Sequence, residues 1–156
     1  VVAYDPRKPD EHFPESVQRA ERFEGLFERS DAVSVHVPLT DHTHHSISTA
    51  ELSALGEHGV VVNTARGAVI DEAALVDALE AGTVGGAALD TFESEPPGED
   101  HPLYDRDDVL LTPHVGGVTR QALARMSRQA AANVRTVYEG GIPDSTRNAA
   151  ALVSDE

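Results

Sequence analysis

Five residues capable of chemistry, Asp5, Arg66, Asp90, Glu95 and His114, fall at or just beyond the ends of apolar runs. Arg66 closes Val60-Val-Val-Asn-Thr-Ala65 and is followed by Gly67. A guanidinium at the end of a buried strand costs free energy unless something anionic uses it, and its planar fork suits a carboxylate. His114 follows Asp108-Val-Leu-Leu-Thr-Pro113, and an imidazole that titrates near neutral pH can both give and take a proton. A carboxylate beside it, such as Glu95, fixes the tautomer and favours the imidazolium. Anion clamp, cationic acid and orienting carboxylate together fit reduction of a 2-keto acid by hydride from a cofactor. The competing assignments are a structural salt bridge for Arg66, a solvated loop for Glu95 and a turn for His114.

The elements that position these groups follow from periodicity. Val1-Val-Ala-Tyr-Asp5 reads as a short buried strand stopped by Pro6, with Asp5 a ribose-binding acid or a turn-forming residue. Residues 7–20 are polar and loop-like or loosely helical; Phe23, Leu26 and Phe27 fall at helical spacing. Ala32 to Val37 is a strand ended by Pro38, and the loop after it holds His42, His44 and His45. Three close histidines invite a metal, but without facing ligands on a scaffold they read as a solvated loop, and no metal is assigned. Ser48 or Thr49 caps a helix through Leu55, and Asp71 caps another over Glu72–Glu80 that stops at Ala81-Gly82. Gly85 to Phe92 and Asp108 to Thr112 are strands, and Thr119 to about Glu139 is the longest helix. Its apolar face carries Leu123, Met126, Ala130, Val134 and Val137. Strands alternating with helices imply an α/β fold with a parallel sheet, in which the strand ends carrying the five groups share one edge.

Composition narrows the partners. The chain has 156 residues, no cysteine, and 27 acidic against 12 basic residues for a net charge of −15. That field disfavours nucleic acid and membrane surfaces, and the absence of cysteine removes disulfides and makes cytoplasm the default compartment. Lys8 is the only lysine. Abundant carboxylates with almost no lysine predict a salt-adapted protein.

Four segments resemble the D-isomer-specific 2-hydroxyacid dehydrogenases: Val35-His-Val-Pro-Leu-Thr40, Val62-Asn-Thr-Ala-Arg-Gly67, Gly86-Ala-Ala-Leu-Asp-Thr-Phe-Glu-Ser-Glu-Pro96 and Leu111-Thr-Pro-His-Val-Gly-Gly117. They stand in the family's order and spacing. The resemblance implies NAD as cofactor, a small 2-keto or 2-hydroxy acid as substrate, and a homodimer when full length. It makes Arg66 the binder of substrate carboxylate and carbonyl, and His114 the acid/base paired with Glu95. Asp5 would hold the adenosine ribose, while Val37, Pro38, Thr43, Thr64, Ala65 and Asp90 line the dinucleotide beside Arg66 and His114. Asp90 would lie near the carboxamide and Gly116-Gly117 beside the ring.

The family's glycine-rich phosphate loop, first strand and following helix would precede Val1. The expectation is therefore an incomplete Rossmann-like domain over 1–142, with a tail over 143–156 leading back towards a substrate domain. On that basis Arg66's strand borders the missing central strand, and the isolated chain binds cofactor weakly. Two alternatives stand beside the enzyme: a binding protein of the corepressor type, which the acidic surface disfavours, and an inactive truncated remnant.

Overall fold

Four short apolar runs assemble the main sheet, and in the first two of them alternate positions are buried. The computed structural model describes residues 1–149. Strands β3 (Ala32–Val35), β4 (Val60–Asn63), β5 (Gly86–Leu89) and β6 (Val109–Leu111) pair in that spatial order, all parallel. The register sets Ala32 opposite Val60, Val60 opposite Gly86, and Ala87 opposite Val109. Val33, Val35, Val61, Ala87 and Leu89 are buried in the core with Phe27, Leu52, Leu75 and Leu79 from the helices. Apart from the buried Gly86, residues of opposite parity are less covered, with Leu110 at 66% exposure, as a period of two requires.

The connecting helices begin where short polar side chains satisfy first-turn N–H groups. Helix α1 spans Phe23–Phe27 and α2 spans Thr49–Leu55. At the start of α2, Glu51 accepts the Ser48 N–H at 3.0 Å, half of the reciprocal cap that Ser-x-x-Glu forms. Helix α3 covers Glu72–Glu80, with Asp71 accepting the Ala74 N–H at 3.1 Å. Gly82, at φ 67°, ends it in the left-handed region where glycine is favoured. These bounds match those read from the sequence.

Two sequence-based expectations change. Residues 7–20 contain a strand, β2 (Gln18–Arg19), which pairs parallel with β1 (Val2–Ala3) in a separate two-stranded sheet. Gln18 and Arg19 are exposed, so no apolar alternation announces them; pairing with β1 alone makes them a strand. Secondly, Arg66's strand β4 is flanked on both sides, by β3 and β5. Among the described residues the sheet's edges are β3 and β6; the Ala32 run pairs in full register with Val60–Asn63 and takes the place assigned to an absent neighbour of Arg66's strand.

The chain divides into two compact units, Val1–Gly116 and the residues from Gly117 onward. In the second unit α4 (Arg120–Tyr138) is capped by Thr119, which accepts the Ala122 N–H at 3.0 Å. Leu123, Met126, Val134 and Val137 of its apolar stripe are exposed. Part of the 143–156 tail, residues 150–156, lies outside the described residues.

Candidate active site

The carboxyl ends of β3 to β6 lie on one edge of the sheet, and each delivers a functional segment there. After β4 the chain turns sharply, and the buried side chain of Asn63, 1% exposed, shapes the turn. Its Oδ1 accepts the Ala65 N–H at 3.0 Å and its Nδ2 donates to the Arg66 carbonyl at 2.8 Å. The amide thus satisfies the backbone that leaves the ladder and aims Arg66 outward. Arg66 is exposed, donates to the Ala65 carbonyl at 2.5 Å and forms no ion pair among the described residues. The structural salt bridge considered for it is absent there.

Gly67 follows because nothing larger fits. A Cβ at this position would lie 1.9 Å from the Phe92 carbonyl carbon and 2.4 Å from the Glu93 nitrogen. The turn bearing Arg66 is therefore packed directly on the segment after β5.

That segment holds Glu95, whose Oε1 accepts the Phe92 N–H at 3.0 Å while Oε2 meets His114 Nδ1 at 2.8 Å. His114, after β6, adopts φ 53°, a left-handed conformation that costs a non-glycine residue about 1 kcal/mol or more and persists only where the surroundings enforce it. With Nδ1 engaged by Glu95, Nε2 has no protein partner among the described residues. The bond from His114, then that from Phe92, and the charges of His114 and Arg66 hold the Glu95 carboxyl below its ordinary range, against the opposing effect of burial. Glu95 and His114 line one cavity with Phe92, Pro96, Pro97, Tyr104, Leu111, Thr112 and Pro113.

Asp90, at the end of β5 and 4% exposed, ties the β6 exit in place. Its Oδ1 accepts the Thr112 hydroxyl at 2.6 Å and the Val115 N–H at 2.8 Å; Oδ2 accepts the Gly116 N–H at 2.8 Å. Burial pushes this carboxyl up, but those three donors and the charge of His114 outweigh it and hold the group below the ordinary range. Gly116 passes so close that a Cβ there would lie 2.9 Å from Oδ2.

A second cleft runs between the exits of β3 and β4, lined by His36, Val37, Pro38, Leu39, Thr64, Ala65 and Arg66. Thr43 shapes its rim: the Oγ1 accepts the Thr40 N–H at 2.8 Å and donates to the Pro38 carbonyl at 2.7 Å. Val37 and Leu39 are exposed although apolar. The cleft thus combines the apolar Val37, Pro38 and Leu39 with His36, Thr64 and Arg66, at the strand ends of a parallel sheet where ligands gather. Asp5 belongs to the β1–β2 sheet's exit, where its Oδ1 accepts the Arg7 N–H at 2.9 Å.

In the histidine loop His42 and His44 are exposed, as a solvated loop requires, while His45 departs from that reading. His45, at φ 50°, has Nε2 2.7 Å from Glu93 Oε1, close enough for charge attraction though not aligned as a hydrogen bond. His45, Asp71 and Glu93 bring one potential metal donor each within 4.8 Å. The carboxylates are already engaged, Asp71 by Ser48 and Ala74 and Glu93 by the Glu72 N–H. Sequence reasoning passed over Asn63, Gly67 and Thr112 as positioning residues. The signal available was a lone amide closing a run of valines.

Comparison with known proteins places this geometry. Glyoxylate reductase of Thermofilum pendens is 46% identical over 123 residues, which are 79% of this chain and 36% of that protein. (S)-sulfolactate dehydrogenase of Chromohalobacter salexigens is 42% identical over 136 residues, 86% of this chain and 44% of that protein. The crystal structure of a D-isomer specific 2-hydroxyacid dehydrogenase from Lactobacillus delbrueckii, in its NAD-complexed form, superposes with a TM-score of 0.83 at 28% identity. It covers 94% of this chain and 48% of its own. The chain thus spans less than half the length of these relatives. A sequence model of the D-isomer specific 2-hydroxyacid dehydrogenase NAD-binding domain matches residues 1–116. With that match over most of its length and the same fold in the NAD-complexed relative, the chain belongs to the NAD-binding domain family of the D-isomer specific 2-hydroxyacid dehydrogenases.

Proposed function

We propose that the chain forms the catalytic half of an NAD-dependent enzyme that reversibly reduces a 2-keto acid to a D-2-hydroxy acid. The observation that carries this reading is the Glu95–His114 contact at 2.8 Å, with Nε2 free of protein partners among the described residues. When bound, the dinucleotide supplies a hydride to the carbonyl carbon. Arg66 binds the substrate carboxylate and polarises the carbonyl oxygen, as its exposed fork, without an ion-pair partner among the described residues, supports. His114 donates its Nε2 proton to that oxygen as the hydroxyl forms, and Glu95 stabilises the imidazolium through Nδ1. In the reverse direction Nε2 takes the hydroxyl proton.

In this reading Val37, Pro38, Thr43, Thr64 and Ala65 line the dinucleotide, and Asp5 accepts a ribose hydroxyl. Asp90, Gly116 and Gly117 border the nicotinamide. Residues 1–142 are the dinucleotide-binding part and 143–156 lead towards a substrate domain. Glyoxylate and hydroxypyruvate in the reducing direction, and (S)-sulfolactate in the oxidising one, are the substrates to try first, given what the relatives are named for.

The test is steady-state NADH oxidation in the complete polypeptide that carries these residues. His114→Ala should lower kcat by about 10²–10⁴-fold, the usual contribution of a positioned acid. Arg66→Ala should act chiefly on keto-acid KM, by roughly 10- to 100-fold for the loss of a charge-assisted contact. Unchanged kcat in His114→Ala would remove it as the proton donor.

A further inference from the structure

Glu72 is the first residue of α3, a position where an acid is ordinarily satisfied by the helix N-terminus and solvent. Here its carboxylate turns to the neighbouring loop. Oε2 accepts the Glu93 N–H at 3.2 Å, and Oε1 meets His101 Nε2 at 2.7 Å. Glu93 returns the contact, its Oε1 accepting the Glu72 N–H at 3.0 Å. Each acid thus caps the other's backbone, pinning the segment after β5 to the start of α3. His101 fits this role: its Nδ1 accepts the Leu103 N–H at 3.4 Å, which leaves the Nε2 proton for Glu72. The imidazole also stands edge-on to the Phe92 ring, with centroids 5.6 Å apart and planes at 79°. Side-chain exposures of 19% for Glu72 and 12% for His101 limit competition from water.

Only Ser94 separates Glu93 from Glu95, and the Phe92 N–H already holds Glu95. From these contacts we infer that Glu72, locked by His101, is a positioning residue that fixes Glu95 against His114 by clamping Glu93. The inference rests on the acid/base reading above. Glu72 touches neither member of the pair, so its influence on the reaction must pass through the loop.

The experiment has two arms. On the 156-residue chain, NMR of the imidazole protons reads the Nδ1–H of His114, assigned by its loss in His114→Ala. A protected, downfield resonance is expected in the wild type. It should be lost in Glu95→Ala and in Glu72→Ala, and retained in part in Glu72→Gln, which keeps one acceptor. Far-ultraviolet circular dichroism and a urea midpoint show whether each variant is folded, and Glu72→Gln serves if Glu72→Ala is not.

In the complete polypeptide, kcat is measured in a double-mutant cycle. Glu72→Ala should lower kcat about tenfold with keto-acid KM unchanged, and should add less than about twofold in the Glu95→Ala background. A folded Glu72→Ala that keeps the His114 resonance, a Glu72→Gln whose resonance is as intense and as protected as that of the wild type, or an effect fully additive with Glu95→Ala overturns the positioning role. If instead His114→Ala and Glu95→Ala both turn over normally, the acid/base reading fails, a result recognisable without any Glu72 variant.

Discussion

Replacing Asp90 with asparagine isolates what a buried carboxylate contributes at the β6 exit. Its Oδ1 accepts from Thr112 and Val115, and Oδ2 from Gly116. An asparagine can keep its oxygen at the Oδ1 place, so the first two bonds survive as neutral ones, each weaker by about 1 kcal/mol. At the Oδ2 place an NH₂ faces the Gly116 N–H, donor against donor, which forfeits a charge-assisted bond of about 1.5–3 kcal/mol. The neutral amide is cheaper to bury by about 1–2 kcal/mol, so the net loss is about 1.5–4 kcal/mol. The assay is urea unfolding of the 156-residue chain, wild type against Asp90→Asn.

The same difference has a defined pH dependence. The folded carboxyl lies below its ordinary value, so its contribution is complete above the unfolded value and fades as pH falls through the folded one. The gap between wild type and variant should be constant above about pH 5 and shrink below about pH 4. A gap under about 1 kcal/mol at neutral pH, or one that widens on acidification, would refute the reasoning.

Two further outcomes are expected. Gly67→Ala drives a methyl into the Phe92 backbone at 1.9 Å and should destabilise by about 3 kcal/mol, the upper end of overpacking; a urea midpoint within error of wild type would show that the turn yields freely. Raising KCl from about 0.1 to 1 M shortens the screening length from about 10 to 3 Å. A net charge of −15 should then make the melting temperature climb, by about 2–8 °C for each kcal/mol of relieved repulsion; a flat or falling curve in differential scanning calorimetry contradicts salt adaptation.

The elements legible in the sequence were those with local punctuation. Asp71 and Gly82 bracket α3 because capping and chain reversal depend on neighbouring residues alone. Strand β2 was not legible, since Gln18 and Arg19 owe their conformation to a partner strand. For the same reason His45 looked as solvated as its exposed neighbours His42 and His44: it meets Glu93 only after β5 returns alongside. The Glu95–His114 pairing was legible from chemical type at the ends of parallel strands, and the structure brings the two into contact. What fixes them, the Gly67 packing and the Glu72–Glu93 exchange, depends on backbone proximity between distant segments and leaves no pattern in composition or period.

The amide of Asn63 has a consequence for how the protein ages. Its nitrogen donates to the Arg66 carbonyl, and its oxygen accepts from Ala65. Hydrolysis of that one amide would exchange a nitrogen for an oxygen and set a carboxylate against the Arg66 carbonyl, with no change of side-chain shape. Burial shields the group while the fold is intact, so the damage can accumulate only during excursions that open the end of β4. A molecule that had lost this amide would lose the aim of Arg66, while most of its core remained as built.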